Sequence, residues 1–370
     1  MSIHTSFLST LLLILGCAAL PPAMAANPIV VGQAIDLSGP NGSIGRDYVA
    51  GITTYFDSVN VKGGVNGRKI SYVVKDDRGV AADSASIVSG LIKEQQADYL
   101  LGAIGSDATQ ATVAAPAFAA SRLVLFAPLA SSAGADRERV LYWRPSLESE
   151  FLFLLAYFEG LGIKEVGIAL QETPQNNKLF QFLSADMRKR RMTLAGVAKI
   201  TADGAALDAG AQRLGTAGAK LIITIGDTIA SAQFLKAYRR HDPATFVAGT
   251  SLINLATLSE IAGARGTEFT VFSQVVPDPA RAVSPLQSEH IAMMKRFRDE
   301  PVSSVTLEGF AVAKTLVGMM RAGGSGEQGL AAHAKAVDLG GMTVRAPDGA
   351  NNMSRYVDIA LFKRGGGLMF

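Results

Sequence analysis

Short apolar runs alternate with helix-length segments along most of the chain, and the alternation occurs twice. In the first series, residues 29–37, 69–75, 99–101 and 123–126 are strand-length runs bounded by turn residues, separated by helix-length segments at 44–60, 82–95 and 108–119. After Trp143 the series restarts, with strands expected at 165–170, 195–200, 221–225 and 246–248 and helices at 177–190, 205–216 and 229–240. Strands that alternate with helices of this length pair in parallel, so the pattern predicts an α/β protein of two doubly wound parallel-sheet lobes, each sheet covered on both faces. Beyond Ser251 it predicts a strand at 269–272, helices at 288–298 and 307–320, and a closing strand pair at 342–345 and 356–362. No Pro/Gly/Ser-rich linker separates the halves, which implies closely coupled lobes. Crossings are expected at 145–148, 249–251 and 340–343. The first lobe is then 28–146 with 251–340, and the second 147–250 with 341–370.

The chain's beginning fixes the expected compartment. Residues 7–20 are apolar but too short to span a bilayer, and Ala23-Met24-Ala25 supplies an A-x-A cleavage signal, so residues 1–25 are expected to be a signal peptide. The sole cysteine, Cys17, follows Leu15-Gly16. A lipid anchor there stands as the lesser alternative to an apolar leader residue. Cleavage after Ala25 leaves a chain of about 345 residues without cysteine, which must be held by core burial and which suits two domains. The formal charge of +3 is small for this length, and the basic run Arg188 to Arg191 reads as a solvated helix end, so no nucleic-acid partner is expected.

Candidate chemistry lies at strand ends, where open α/β sheets hold their ligands. Ser106 and Asp107 begin a helix directly after the third strand, and the next strand ends in Ala127-Pro128-Leu129-Ala130-Ser131-Ser132. Two polar turns from adjacent strands would converge on one site, although a simple capped helix explains the first as well. Asp76 and Asp77 close the second strand and read as turn-shaping residues rather than metal ligands. Trp143 reads as packing, Arg144 as half of a structural ion pair, and Tyr48 and Tyr55, seven apart, as one core-facing helix stripe.

The segments GQAIDLSGPNGSIG, YFDSVNVKGGVNGRKISYVVKDD, LLGAIGSDATQATVAAPAFAASRLVLFAP and YWRPSLESEF together resemble the type I periplasmic binding proteins. Within them the chain is similar to the leucine/isoleucine/valine-binding branch, which serves ABC transporters. The resemblance covers nearly the whole chain after the leader and implies two lobes, joined by three crossovers, that close on a ligand. It implies that Ser106 holds a carboxylate, that Leu129 offers a main-chain contact and that Ser131 offers a hydroxyl. The ammonium half departs from the family pattern, with Ser149 and Thr250 where acids are expected and Gln175 and Asp227 where aromatic residues are common. Glu148 and Glu150 flank the first of these positions, and Asp227 could supply a replacement acid. A buried ammonium without a carboxylate partner costs several kcal/mol, so the pattern argues against an ordinary α-amino acid.

The resemblance implies a monomeric periplasmic protein that captures a small polar, carboxylate-bearing molecule and delivers it to an ABC permease in the inner membrane. A receptor that presents its closed form to a signalling partner uses the same lobe closure and stays open as an alternative. An enzyme is not expected, and neither a cofactor nor a metal is implied. His241, His290 and His333 lack metal-ligand spacing, and no G-x-S-x-G elbow or P-loop occurs.

Overall fold

The computed structural model describes residues 27–130, 139–323, 336–345, 352–363 and 367–370. The leader with Cys17, and also Ser131, Ser132 and His333, lie outside the described residues. In chain order the elements are β1 (Ile29–Ile35), α1 (Gly42–Val61), β2 (Ile70–Asp76), α2 (Ala81–Lys93), β3 (Tyr99–Leu101), α3 (Ser106–Ala114), α4 (Pro116–Ala120), β4 (Leu125–Phe126) and β5 (Val140–Leu141). Then follow α5 (Leu147–Gly160), β6 (Glu165–Gln171), α6 (Pro174–Lys189), β7 (Thr193–Ile200), α7 (Gly204–Thr216), β8 (Leu221–Ile225), α8 (Thr228–Tyr238), β9 (Phe246–Gly249), α9 (Leu255–Gly266) and β10 (Thr270–Gln274). The rest comprises α10 (Pro285–Phe297), α11 (Ser304–Arg321), β11 (Val337–Asp338), β12 (Thr343–Val344), β13 (Asp358–Phe362) and β14 (Leu368–Met369).

Two main sheets result. The first has the order β2-β1-β3-β4-β5, all parallel. The second has the order β14-β13-β10-β9-β8-β6-β7, parallel from β10 to β7 and antiparallel where β13 and β14 are added. The run β7-β6-β8-β9-β10 repeats the arrangement of the first sheet, so the doubled rhythm of the sequence corresponds to doubled topology. Apolar clusters cover each sheet on both faces, with Tyr48, Phe126, Trp143 and Phe310 on one side of the first and Leu91, Leu100 and Phe118 on the other. The second sheet is covered by a cluster around Phe234 and Tyr238 and another around Phe151 and Leu183. Among the described residues no helix is long and apolar enough to cross a membrane.

Two of the expected crossings move. α9 and β10 stay with the second sheet, where β10 pairs with β9 and β13, and the chain returns only where Val276 enters the first core. Similarly, Leu339, Met342, Val344 and Met353 pack in the first core, so the third crossing lies between Met353 and β13 rather than at 340–343. The expected closing pair also dissolves, because β12 pairs with β11 while β13 pairs with β10 and β14. The expected helix at 108–119 is two, since Pro116 drives Ala115 out of the helical region, to φ −63° and ψ 130°.

Close approaches account for several glycines. In KGGVNGRKI, Asn66 and Gly67 have φ of 51° and 82° between bridged Val65 and Arg68, which is the left-handed pair that an Asn-Gly hairpin turn requires. α1 and α11 touch through glycine, for a Cβ on Gly51 would lie 2.0 Å from the Thr306 carbonyl oxygen, and one on Gly309 2.2 Å from that of Tyr48.

His290 on α10 is fully buried, its Nε2 3.1 Å from Thr306 Oγ1 and its ring edge-on to Phe310. Burial pushes its pKa down to about 4. The folded protein therefore holds the neutral imidazole, while the unfolded chain takes up a proton below its ordinary value of about 6.5. Stability from this site is complete above that value and is expected to fall by roughly 2–3 kcal/mol as the pH drops to 4. Urea unfolding of His290→Gln should show that much less acid sensitivity than the parent.

Candidate functional site

In a parallel sheet of this order the loops at the carboxyl ends of the strands part at the point where the winding reverses, which leaves a crevice. Here the reversal lies between β1 and β3 in the first sheet and between β6 and β8 in the second. Each crevice is bridged by a glutamine. Gln33, buried on β1, donates to the Gly102 carbonyl at 2.7 Å and accepts from Tyr72 Oη. Gln171, the last residue of β6, donates to Asp227 Oδ2 at 2.7 Å and accepts from the Asp227 main-chain N–H at 2.9 Å.

On the first side, two turns are zipped together. Leu129 N–H donates to the Ala103 carbonyl and Gly105 N–H donates to the Leu129 carbonyl, both at 3.0 Å. Gly102 permits this approach, because a Cβ there would lie 2.5 Å from Pro128 Cβ. Ala127 is held at φ 52°, and its carbonyl accepts from the buried Tyr48 hydroxyl at 3.0 Å. Left-handed backbone in a residue with a Cβ is strained, so the loop bearing Leu129 is shaped by its surroundings. Ser106 is the first residue of α3, after Gly105 at φ 95°. The two turns thus lie side by side, and the Leu129 N–H and carbonyl each already hold a main-chain partner.

On the second side, Gln175 lies in the first turn of α6, whose N-cap Thr173 accepts from the Asn176 N–H at 3.1 Å. Asp227 caps α8 by accepting from the Ala230 N–H at 2.8 Å, and with Gln171 on its other oxygen the carboxylate is committed to shaping the crevice. Thr250 follows β9 and is 8% exposed. Ser149 is exposed in the first turn of α5, where Ser146 accepts from its N–H at 3.3 Å. Its neighbour Glu150 is fully buried and accepts from Ser251 N–H at 3.0 Å, Ser251 Oγ at 2.7 Å and Ser273 Oγ at 2.6 Å. Glu150 therefore serves the crossing region, and a shift of one residue onto it restores no acid at the Ser149 position.

Arg144 completes that region. Its Nε lies 3.4 Å from Glu308 Oε1 and its Nη2 donates to Ser251 Oγ at 2.7 Å, which is the structural pairing read from the sequence. Burial raises the pKa of Glu308, Arg144 opposes the rise, and Glu150 adds to it. Trp143 is buried and donates through Nε1 to Thr315 Oγ1 at 2.9 Å. Asp76 and Asp77 shape turns. The former accepts from Leu37 N–H and Ser38 Oγ, which hold its carboxyl below the usual range, and the latter accepts from Ser84 Oγ and Gly79 N–H. Among the described residues no group of three or more His, Cys, Asp or Glu is placed to hold a metal.

The carboxyl edges of the two sheets meet. Asn254, the cap of α9, donates through Nδ2 to Ser43 Oγ on α1 at 2.5 Å. Neither residue, nor Gln33, Gln171, Ser251 or Ser273, stands out in the sequence as a site residue. Only Asn254, which precedes a helix-forming run, carries a readable signal, that of an N-cap.

Two α/β lobes with repeated winding, joined by three chain crossings and facing each other across their strand ends, define the class of two-lobed ligand-binding proteins. The chain belongs to the periplasmic binding protein family, whose model matches residues 28–358. Among solved structures it is similar to an extracellular ligand-binding receptor from Verminephrobacter eiseniae, at 23% identity and a TM-score of 0.81 over 93% of this chain and 100% of that one. A substrate-binding periplasmic protein from Ralstonia solanacearum matches at 23% identity and 0.80 over 92% and 99%. A branched-chain amino acid transporter substrate binding protein from Streptococcus pneumoniae, in complex with isoleucine, matches at 17% and 0.75 over 92% and 97%. At these identities the likeness is one of fold. An amino acid binding protein of Pseudomonas aeruginosa is 30% identical over 81 residues, and the match spans 22% of each chain.

Proposed function

We propose that this is a periplasmic solute-binding protein that captures a small polar, carboxylate-bearing molecule, an amino acid or a related compound, by lobe closure. The closed form is then handed, as a monomer, to the permease of an ABC importer in the inner membrane. The meeting of the two carboxyl edges carries this reading, with Ser106 and Leu129 on one rim and Gln175, Asp227 and Thr250 on the other. Helices that follow parallel strands turn their N-terminal ends to this edge, where free N–H groups and positive dipole ends favour an anion. With Ser149 and Thr250 uncharged, Glu150 engaged at the crossing and Asp227 capping α8, the rim favours a carboxylate over a free ammonium. The similarity to proteins described as amino acid binding points to the same chemical neighbourhood.

Denaturing the purified protein and identifying a co-purified small molecule by mass spectrometry tests the reading directly. Calorimetry should then show that Ser106→Ala weakens carboxylate binding by about 1–3 kcal/mol. Unchanged affinity would remove Ser106 from the site, and tight binding of several ordinary amino acids would remove the preference against an ammonium.

A further inference from the structure

The loop between β9 and α9, residues 250–254, is tied to both lobes by successive side chains. Ser251 N–H and Oγ both donate to Glu150, at 3.0 and 2.7 Å, and the same hydroxyl accepts from Arg144 Nη2. Leu252 packs against the first core, whereas Ile253 is buried in the second. Asn254 is anchored in the second lobe twice: its N–H donates to Thr228 Oγ1 at 2.9 Å, and its Oδ1 caps α9 by accepting from Ala256 and Thr257 at 3.1 Å. Its Nδ2 is then left to reach across to Ser43 in the first lobe, at 2.5 Å.

We propose that this loop is a latch: Leu252 and the Asn254–Ser43 hydrogen bond hold the lobes closed, and Thr250, beside them in the chain, couples ligand contact to that hold. Opening the lobes breaks the hydrogen bond and exposes Leu252, so each acts only in the closed state and biases the equilibrium toward it. A ligand that fixes the Thr250 main chain fixes its neighbours with it, because Ser251 and Ile253 are already bound to the second lobe. This coupling rests on the binding function proposed above, whereas the latch itself can be tested without any ligand.

Single-molecule fluorescence transfer between dyes on Lys93→Cys of α2 and Arg213→Cys of α7 reads the distance between the lobes. The chain's one natural cysteine, Cys17, lies within the expected leader. In ligand-free protein, Ser43→Ala should raise the open-to-closed ratio about fivefold, the effect of one ordinary hydrogen bond. Asn254→Ser keeps a capping hydroxyl but lacks the amide donor and should match it. The double variant should add little to either, because both changes remove the same bond. Leu252→Ala, with native circular dichroism, should also shift the population toward open. A parent that is wholly open, or single variants with the parent's distribution, would overturn the latch. A ligand of unexpected class would instead overturn the proposed function and leave these ratios unaffected.

Discussion

Gly309→Ala is expected to lower stability by about 3 kcal/mol, read as a fall in the urea midpoint, although helix propensity alone predicts a gain of about 1 kcal/mol. The sign is decided by packing. The added methyl would lie 2.2 Å from the Tyr48 carbonyl oxygen, a main-chain atom that cannot rotate away, so α1 and α11 must separate. Gly51→Ala meets the Thr306 carbonyl oxygen at 2.0 Å and should behave alike. At Gly160, the last residue of α5, a Cβ meets nothing within 4 Å, and alanine there should cost nothing. Separation of α1 also draws the Tyr48 hydroxyl from the Ala127 carbonyl, so Gly309→Ala should loosen the loop that carries Leu129 and weaken ligand binding.

Arg144→Leu is expected to cost about 3–5 kcal/mol at pH 8, since it leaves Glu308 buried without its cation. The cost should shrink as the pH falls to 5. Burial already raises the Glu308 pKa and Arg144 opposes that rise, so removing the guanidinium raises it further. A carboxyl whose folded pKa lies above its unfolded value gives full stability only below the latter, and loses it as the pH climbs through the former. Unfolding curves at the two pH values would show this, and Glu308→Gln in the same background should flatten the difference. Equal losses at both values would mean that the cost is one of packing.

Much of the fold is legible in the sequence because buried parallel strands are local signals. The runs at 99–101 and 221–225 coincide with β3 and β8, and most other expected strands shift by one or two residues. What escapes notice has a physical cause. α5, LESEFLFLLAYFEG, is apolar on too many sides to show one stripe, because it packs in the second core and also borders the crossings. α9 is broken by Gly263 at φ 73°, and β5 and β11 are two residues long. The second and third crossings are not legible because strand membership depends on pairing with distant partners, and nothing local to Thr270–Gln274 reveals that β13 will join it.

The site divides in the same way. Ser106 opens the helix that its sequence context predicts, although Gly105 rather than Ser106 is the cap, and Gln175, placed only by the family resemblance, lies in the first turn of α6. The fate of the acids was not legible. Glu150 is drawn toward Ser251 and Ser273, and Asp227 toward Gln171, by contacts that join segments far apart in the chain.

The placement of β10 bears on how the molecule is made. Val271 pairs with Leu361 and Phe272 with Ala360, so one flank of β10 stays bare until the chain has been synthesised well beyond α11. A nascent or truncated chain that ends before residue 358 would present that bare edge, flanked by β9, as a template for foreign strands. Closing so long a loop is also slow, which makes formation of the second sheet the step most exposed to aggregation.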